Sequence, residues 1–78
     1  MSCVEDVMAL TSHGYKMNPY IGWWTKKVGS RRVEILPMPD RVQVTVYDGR
    51  ERKDDIIAMS LAKAIEVGDR WLEAGDAE

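Results

Sequence analysis

Gly22-Trp23-Trp24-Thr25-Lys26-Lys27-Val28-Gly29-Ser30-Arg31-Arg32 sets two adjacent tryptophans ahead of four cations gathered around a Gly-Ser pair. Two extended arms joined by two residues make a β-hairpin, and glycine at the first central position suits a type II′ turn. The first arm runs from about Ile21 to Val28 and the second from Arg31 to Leu36. Successive strand side chains point to opposite faces, so one tryptophan goes to the core and the other to the far face. With a two-residue turn Trp24 lies opposite Ile35 on the core side and Trp23 opposite Leu36 on the outer side. A three-residue turn exchanges them, and either register leaves one tryptophan facing solvent.

Beyond the hairpin, Pro37-Met38-Pro39-Asp40 breaks the ladder. Val42, Val44 and Val46 then alternate with Gln43, Thr45 and Tyr47, the period of a third strand with one buried face, which ends at Asp48-Gly49. Upstream, Ser2-Cys3-Val4-Glu5 has the form of a capping box. It opens a helix over about residues 3–12, with Val4, Val7, Met8 and Leu10 at helical spacing and Gly14 as its stop. Residues 15–20 read as an irregular lead into the first strand. The last third reads as one helix over about 54–74, started by Asp54 and Asp55 and stopped by Gly75. Ile57, Leu61, Ala64, Ile65, Gly68 and Leu72 form its apolar stripe, with Ile56, Val67 and Trp71 on one flank. Gly68 inside that stripe permits close approach of the sheet. The expectation is an α+β fold of order α-β-β-β-α, a three-stranded antiparallel sheet with helices packed on one face, formed by residues 1–78 as one small domain.

With 78 residues, a formal net charge of −2 and 31% charged residues, the chain has the composition of a small folded domain. Near-neutrality argues against a general phosphate-backbone binder, although a local basic patch still acts within a screening length of roughly 10 Å. Cys3 is the only cysteine, which excludes an intrachain disulfide and fits the cytoplasm. Glu5 and Asp6 stand where a targeting segment would be basic, and no apolar run is long enough for a signal or a span. Neither a membrane nor a cofactor is expected.

The outer sheet face, with Trp23, Leu36 and Tyr47 framed by Glu34, Gln43 and Thr45, has the make-up of a binding hot spot. Lys26, Lys27, Arg31 and Arg32 crowd one turn, and like charges across a hairpin destabilise it unless something anionic uses them. The bland alternative is a solvated tip that keeps a strand end from aggregating. Glu66, Asp69, Glu73, Asp76 and Glu78, with Arg70 the only cation among them, form an acidic end that either imitates a phosphate strand or is merely solvated. His13 and Cys3 occur once each, so a metal site within one chain is not expected, and no nucleophile stands beside a histidine. The residues therefore point to a protein that binds rather than catalyses, through Trp23, Lys26, Lys27, Arg31, Arg32 and Tyr47, as a monomer or weak homodimer.

The α-β-β-β-α order resembles double-stranded-RNA-binding domains and the HicA-type RNA-cleaving toxins. His13-Gly14-Tyr15 after the first helix and Gly29-Ser30 at the hairpin are similar to the toxins' glycine-aromatic and Gly-Ser-His pattern, with Arg31 where the catalytic histidine would stand. The RNA-binding domains' basic start of the last helix is replaced by Asp54 and Asp55 after Arg52-Lys53. In class, the chain resembles the small anti-CRISPR proteins of phages and mobile elements. That resemblance implies a stoichiometric inhibitor docking on a host protein complex, a CRISPR surveillance complex in particular, and occluding it. Nucleic acid bound by the basic hairpin is the competing partner.

Overall fold

A computed structural model of the chain describes residues 4–19 and 22–76. Helix α1 (Val4–Ser12) leads into a short strand β1 (Lys16–Met17), followed by β2 (Trp24–Val28), β3 (Arg31–Pro37), β4 (Val42–Asp48) and β5 (Glu51–Ala58), and the described chain closes with α2 (Leu61–Asp76). The strands form one antiparallel sheet in the order β1-β2-β3-β4-β5, each paired with its neighbour in the chain. The fold is α+β. The sheet has five strands rather than the expected three.

Both main hairpins turn on a glycine at the first central position, Gly29 with φ +61° and Gly49 with φ +65°, where a side chain would be strained. The two-residue turn fixes the first register as read: Trp24 pairs with Ile35 and Lys27 with Arg32. The tips of the two hairpins are joined by the Gly49 amide, which donates to the Ser30 carbonyl at 2.7 Å, and by the Ser30 hydroxyl, which donates to Asp48 at 3.0 Å.

Three expectations are corrected. Residues 54–58, read as the start of a helix running over 54–74, belong to strand β5, because the Gly49 turn carries the chain straight back along β4. The last helix begins instead at Leu61, where Ser60 acts as its cap: its hydroxyl accepts from the Lys63 amide at 3.2 Å and its carbonyl from the Ala64 amide at 3.0 Å. Residues 15–20 hold strand β1, whose Lys16 pairs with Thr25. Pro37 does not break the ladder but ends it, pairing with Val42, and the break falls on the turn closed by the Met38 amide on the Arg41 carbonyl at 2.8 Å. The capping box on Ser2 and Cys3 and the strand start at Ile21 lie outside the described residues.

Helix α2 lies across the centre of the sheet. Its Ala64, Ile65 and Leu72 are buried against Val33, Ile35, Val42, Val44, Val46 and Ala58, with Leu61, Val67 and Trp71 packed at the margin. Each fully buried aliphatic side chain contributes roughly 1.5–3 kcal/mol, so most of the stability resides in this layer. Gly68 sits at its closest point: a Cβ there would collide with the Tyr15 hydroxyl and stand 2.9 Å from Val33 Cγ1. Helix α1 turns its stripe the other way from its expected role. Leu10 is the residue it buries, at 1% exposure, whereas Val4 (73%) and Met8 (63%) face solvent.

Candidate functional site

Register and alternation divide the strand side chains between a face covered by α2 and an open face. Three cross-strand rows run across the open face, the shortest being Leu36, Gln43 and Ile57, and two carry charge. One is Lys27, Arg32, Tyr47 and Arg52, one residue from each of β2 to β5. The other is Lys16, Thr25, Glu34, Thr45 and Asp55. Neighbouring strands lie about 4.8 Å apart, so Lys27 and Arg32 hold like charges directly opposite one another. The Arg32 guanidinium lies 4.2 Å from the centroid of the Tyr47 ring. Among the described residues its Nε is buried without a hydrogen-bond acceptor and makes only a long ion pair with Glu34, at 3.8 Å. Burial, then a hydrogen bond to Glu34, raises the Tyr47 pKa above its ordinary value. In the second row the Thr45 hydroxyl donates to Asp55 at 2.7 Å, and Asp55 meets Arg52 at 3.3 Å.

The six residues singled out by sequence do not form one patch. Lys27, Arg32 and Tyr47 come together on the open face. Lys26 and Arg31, one residue out of step, are on the helix side. Arg31 lies 4.0 Å over the Trp71 ring and donates to the Trp71 carbonyl at 3.0 Å. Trp23 precedes β2 and is half-buried, its carbonyl accepting from the Asn18 amide at 2.8 Å. Trp24 is half-buried against the core, so neither tryptophan stands fully in solvent. The row gains Arg52 through the pairing of β5 with β4. Of the acidic C-terminal group, Glu66 is paired with Arg70 at 2.8 Å and Lys63 at 3.5 Å. The side chain of Asp76, and Glu78, lie outside the described residues.

The cluster with most catalytic chemistry gathers on Asp69 of α2. His13 Nδ1 donates to one carboxylate oxygen at 3.1 Å, while Lys26 Nζ and the Tyr15 hydroxyl donate to the other at 3.2 and 3.4 Å. Lys26 Nζ also lies 5.4 Å from the centroid of the Tyr15 ring. Every donor converges on the same carboxylate, and Asp69 thereby ties the end of α1, the following loop and β2 to α2. The adjoining hollow, lined by Lys26, Val28, Asp69, Leu72 and Glu73, measures about 210 Å³. That is smaller than the roughly 300 Å³ at which ligand pockets begin. The arrangement is a clamp. Among the described residues, no group of three or more His, Cys, Asp and Glu side chains is placed to hold a metal ion. No described helix is long and apolar enough to cross a membrane.

Tyr15 carries a pH signature of this clamp. Burial above all, then the Asp69 charge and the hydrogen bond to it, raise its pKa well above the ordinary 10.0. The folded state therefore keeps a proton that the unfolded chain releases. Stability contributed by Tyr15 is complete below about pH 10 and is lost as pH rises beyond it. Denaturant midpoints measured from about pH 9 to 11 should fall more steeply for the wild type than for Tyr15→Phe. Equal slopes would show that Tyr15 ionises freely in the folded protein.

At the opposite end of β2, Asp6, Met17, Gly22, Trp24, Pro37, Met38 and Pro39 line a groove of mixed polarity. It was not legible from sequence, because it depends on β1 pairing alongside Trp24. No protein-family model, curated protein or solved structure matches the chain.

Proposed function

We propose that the protein acts by binding rather than by catalysis, docking the open face of its sheet on an acidic protein surface. The observation that carries this reading is Arg32: a guanidinium stacked on Tyr47, its side chain part-exposed between Lys27 and Arg52 in one row. Arginine offers a fork of donors that matches a carboxylate, and arginine and tyrosine are both enriched at binding hot spots. Asp55 in the adjacent row, with its side chain part-exposed, favours a mixed-charge protein surface over a continuous phosphate track. A small domain of this build works by occlusion. The class it then joins is that of anti-CRISPR inhibitors, with a host surveillance complex as target.

The test is affinity purification of the tagged protein from a nuclease-treated bacterial lysate carrying CRISPR systems, followed by measurement of affinity for the complex recovered. Arg32→Ala should weaken binding by about 2 kcal/mol, roughly 30-fold, whereas Arg70→Ala on the exposed side of α2 should leave it unchanged. An Arg32→Ala protein that is folded and binds as tightly as wild type would remove the open face from the interface.

The row of Lys27, Arg32 and Arg52 also supports a second reading, in which the face binds nucleic acid. Phosphate contacts release counterions, so affinity would then fall steeply with salt. Absence of any retardation of DNA or RNA at low salt would end it.

A further inference from the structure

Strand β5 is the longer of the two edges of the sheet, β1 being the other: among the described residues β4 pairs along one side of β5 and no strand lies along the other. The ladder between β4 and β5 shifts register at Val46 and Tyr47. Tyr47 pairs with Arg52 and Val46 with Asp54, which leaves Lys53 as the extra residue of a β-bulge. The bulge changes which charges share a face. Arg52 and Asp55, three apart, would point to opposite sides of a regular strand, yet both lie on the open face, 3.3 Å from each other. Lys53 turns to the other side, where it meets Glu51 at 3.2 Å, and Asp54, opposite the buried Val46, shares that side.

We propose that β5 pairs antiparallel with β5 of a second copy about a two-fold axis midway between Lys53 and Asp54, making a ten-stranded sheet. In that register Arg52-Lys53-Asp54-Asp55 is complementary to itself: Arg52 falls opposite Asp55 of the second copy and Lys53 opposite Asp54, twice each. Directly opposed residues of antiparallel strands share a face, and the bulge is what allows both pairs to do so. A regular strand would forbid this register. The edge also carries an amide satisfied by a side chain rather than by a strand. The Asp55 N–H donates to its neighbour's carboxylate, Asp54 Oδ1, at 2.9 Å, a bond that a partner strand replaces. Past the charged segment, Ile57 is 54% exposed and falls beside the Gly49-Arg50 turn of the second copy.

Charges and bulges are also the means by which edge strands avoid pairing. A protective edge repels its own copy, whereas the order basic, basic, acidic, acidic attracts it in one register. Because the axis is perpendicular to the sheet, both open faces end on the same side. The docking row of each copy then runs on, through Arg52 opposite Asp55, into the Thr45-Glu34 row of the other, and a repeated target would be held by two sites at once.

The experiment is sedimentation equilibrium of the full chain at about 0.1 M and 1 M salt, between which the screening length falls from ~10 to ~3 Å. The wild type should show a concentration-dependent dimer at the lower salt, weakened about tenfold or more at the higher. Arg52→Asp and Asp55→Arg should each be monomeric, and the double exchange, which restores both opposite pairs, should dimerise again. Circular dichroism of each variant separates loss of pairing from loss of fold. A wild type that stays monomeric at its highest attainable concentration overturns the proposal, as does a dimer indifferent to the single reversals or a double exchange that fails to restore it.

Discussion

Trp71→Ala should lower the stability of the fold by about 3 kcal/mol, toward the lower end for a large aromatic because the ring is only half-buried. In a domain of this size that shifts the melting temperature by roughly 12–24 °C. Three interactions are lost together. The indole packs at the margin of the core, its Nε1 donates to the Tyr47 carbonyl at 3.1 Å, and the Arg31 guanidinium lies over it at 4.0 Å. The Tyr47 carbonyl belongs to the residue at the bulge, so the indole holds from the helix side the backbone whose ring lies on the open face. Trp71→Phe keeps much of the packing but leaves that carbonyl without its donor, and should cost about 1–2 kcal/mol. If the two variants melt together, the hydrogen bond is the whole effect. If Trp71→Phe melts with the wild type, the bond is of no consequence and packing alone matters.

The pairing of β2, β3 and β4 was legible because the valines of β4 alternate without interruption, Val33 and Ile35 of β3 answer them, and Gly29 marks the turn between β2 and β3. Strand β5 was hidden by its own chemistry. Glu51-Arg52-Lys53-Asp54-Asp55 is charged throughout, so it has no hydrophobic period, and the bulge at Lys53 would have broken one anyway. Asp54-Asp55 ahead of an apolar run imitates a helix start. The better signals were Asp48-Gly49, which ends one strand and turns into the next, and Ser60, a cap residue directly before Leu61. The candidate site was legible in composition but not in grouping. Adjacent residues on a strand cannot share a face, so Lys26 had to part from Lys27 and Arg31 from Arg32 once the hairpin was accepted. What sequence could not supply is the destination of the separated pair, because Asp69 and Trp71 reach Lys26 and Arg31 only through the packing of α2.

That packing depends on one missing side chain. Gly68→Ala introduces a Cβ that would meet the Tyr15 hydroxyl and lie 2.9 Å from Val33 Cγ1, which no real Cβ contact tolerates. Tyr15 and Val33 are among the most deeply buried side chains, with 1% and 0% exposure, so neither can swing aside without opening the core. Alanine is the better helix former by about 1 kcal/mol. On an exposed helix the substitution would therefore stabilise, and here overpacking reverses the sign. The expected net loss is about 1–2 kcal/mol, with α2 displaced from β3 and the Asp69 clamp loosened. Tyr15→Phe removes the oxygen in the way, so the double variant Gly68→Ala with Tyr15→Phe should recover part of the loss that Gly68→Ala alone produces. A double-mutant cycle in urea measures that coupling. A coupling energy indistinguishable from zero would mean that the helix moves away from Val33 rather than from Tyr15, and Val33→Ala would then be the substitution that rescues.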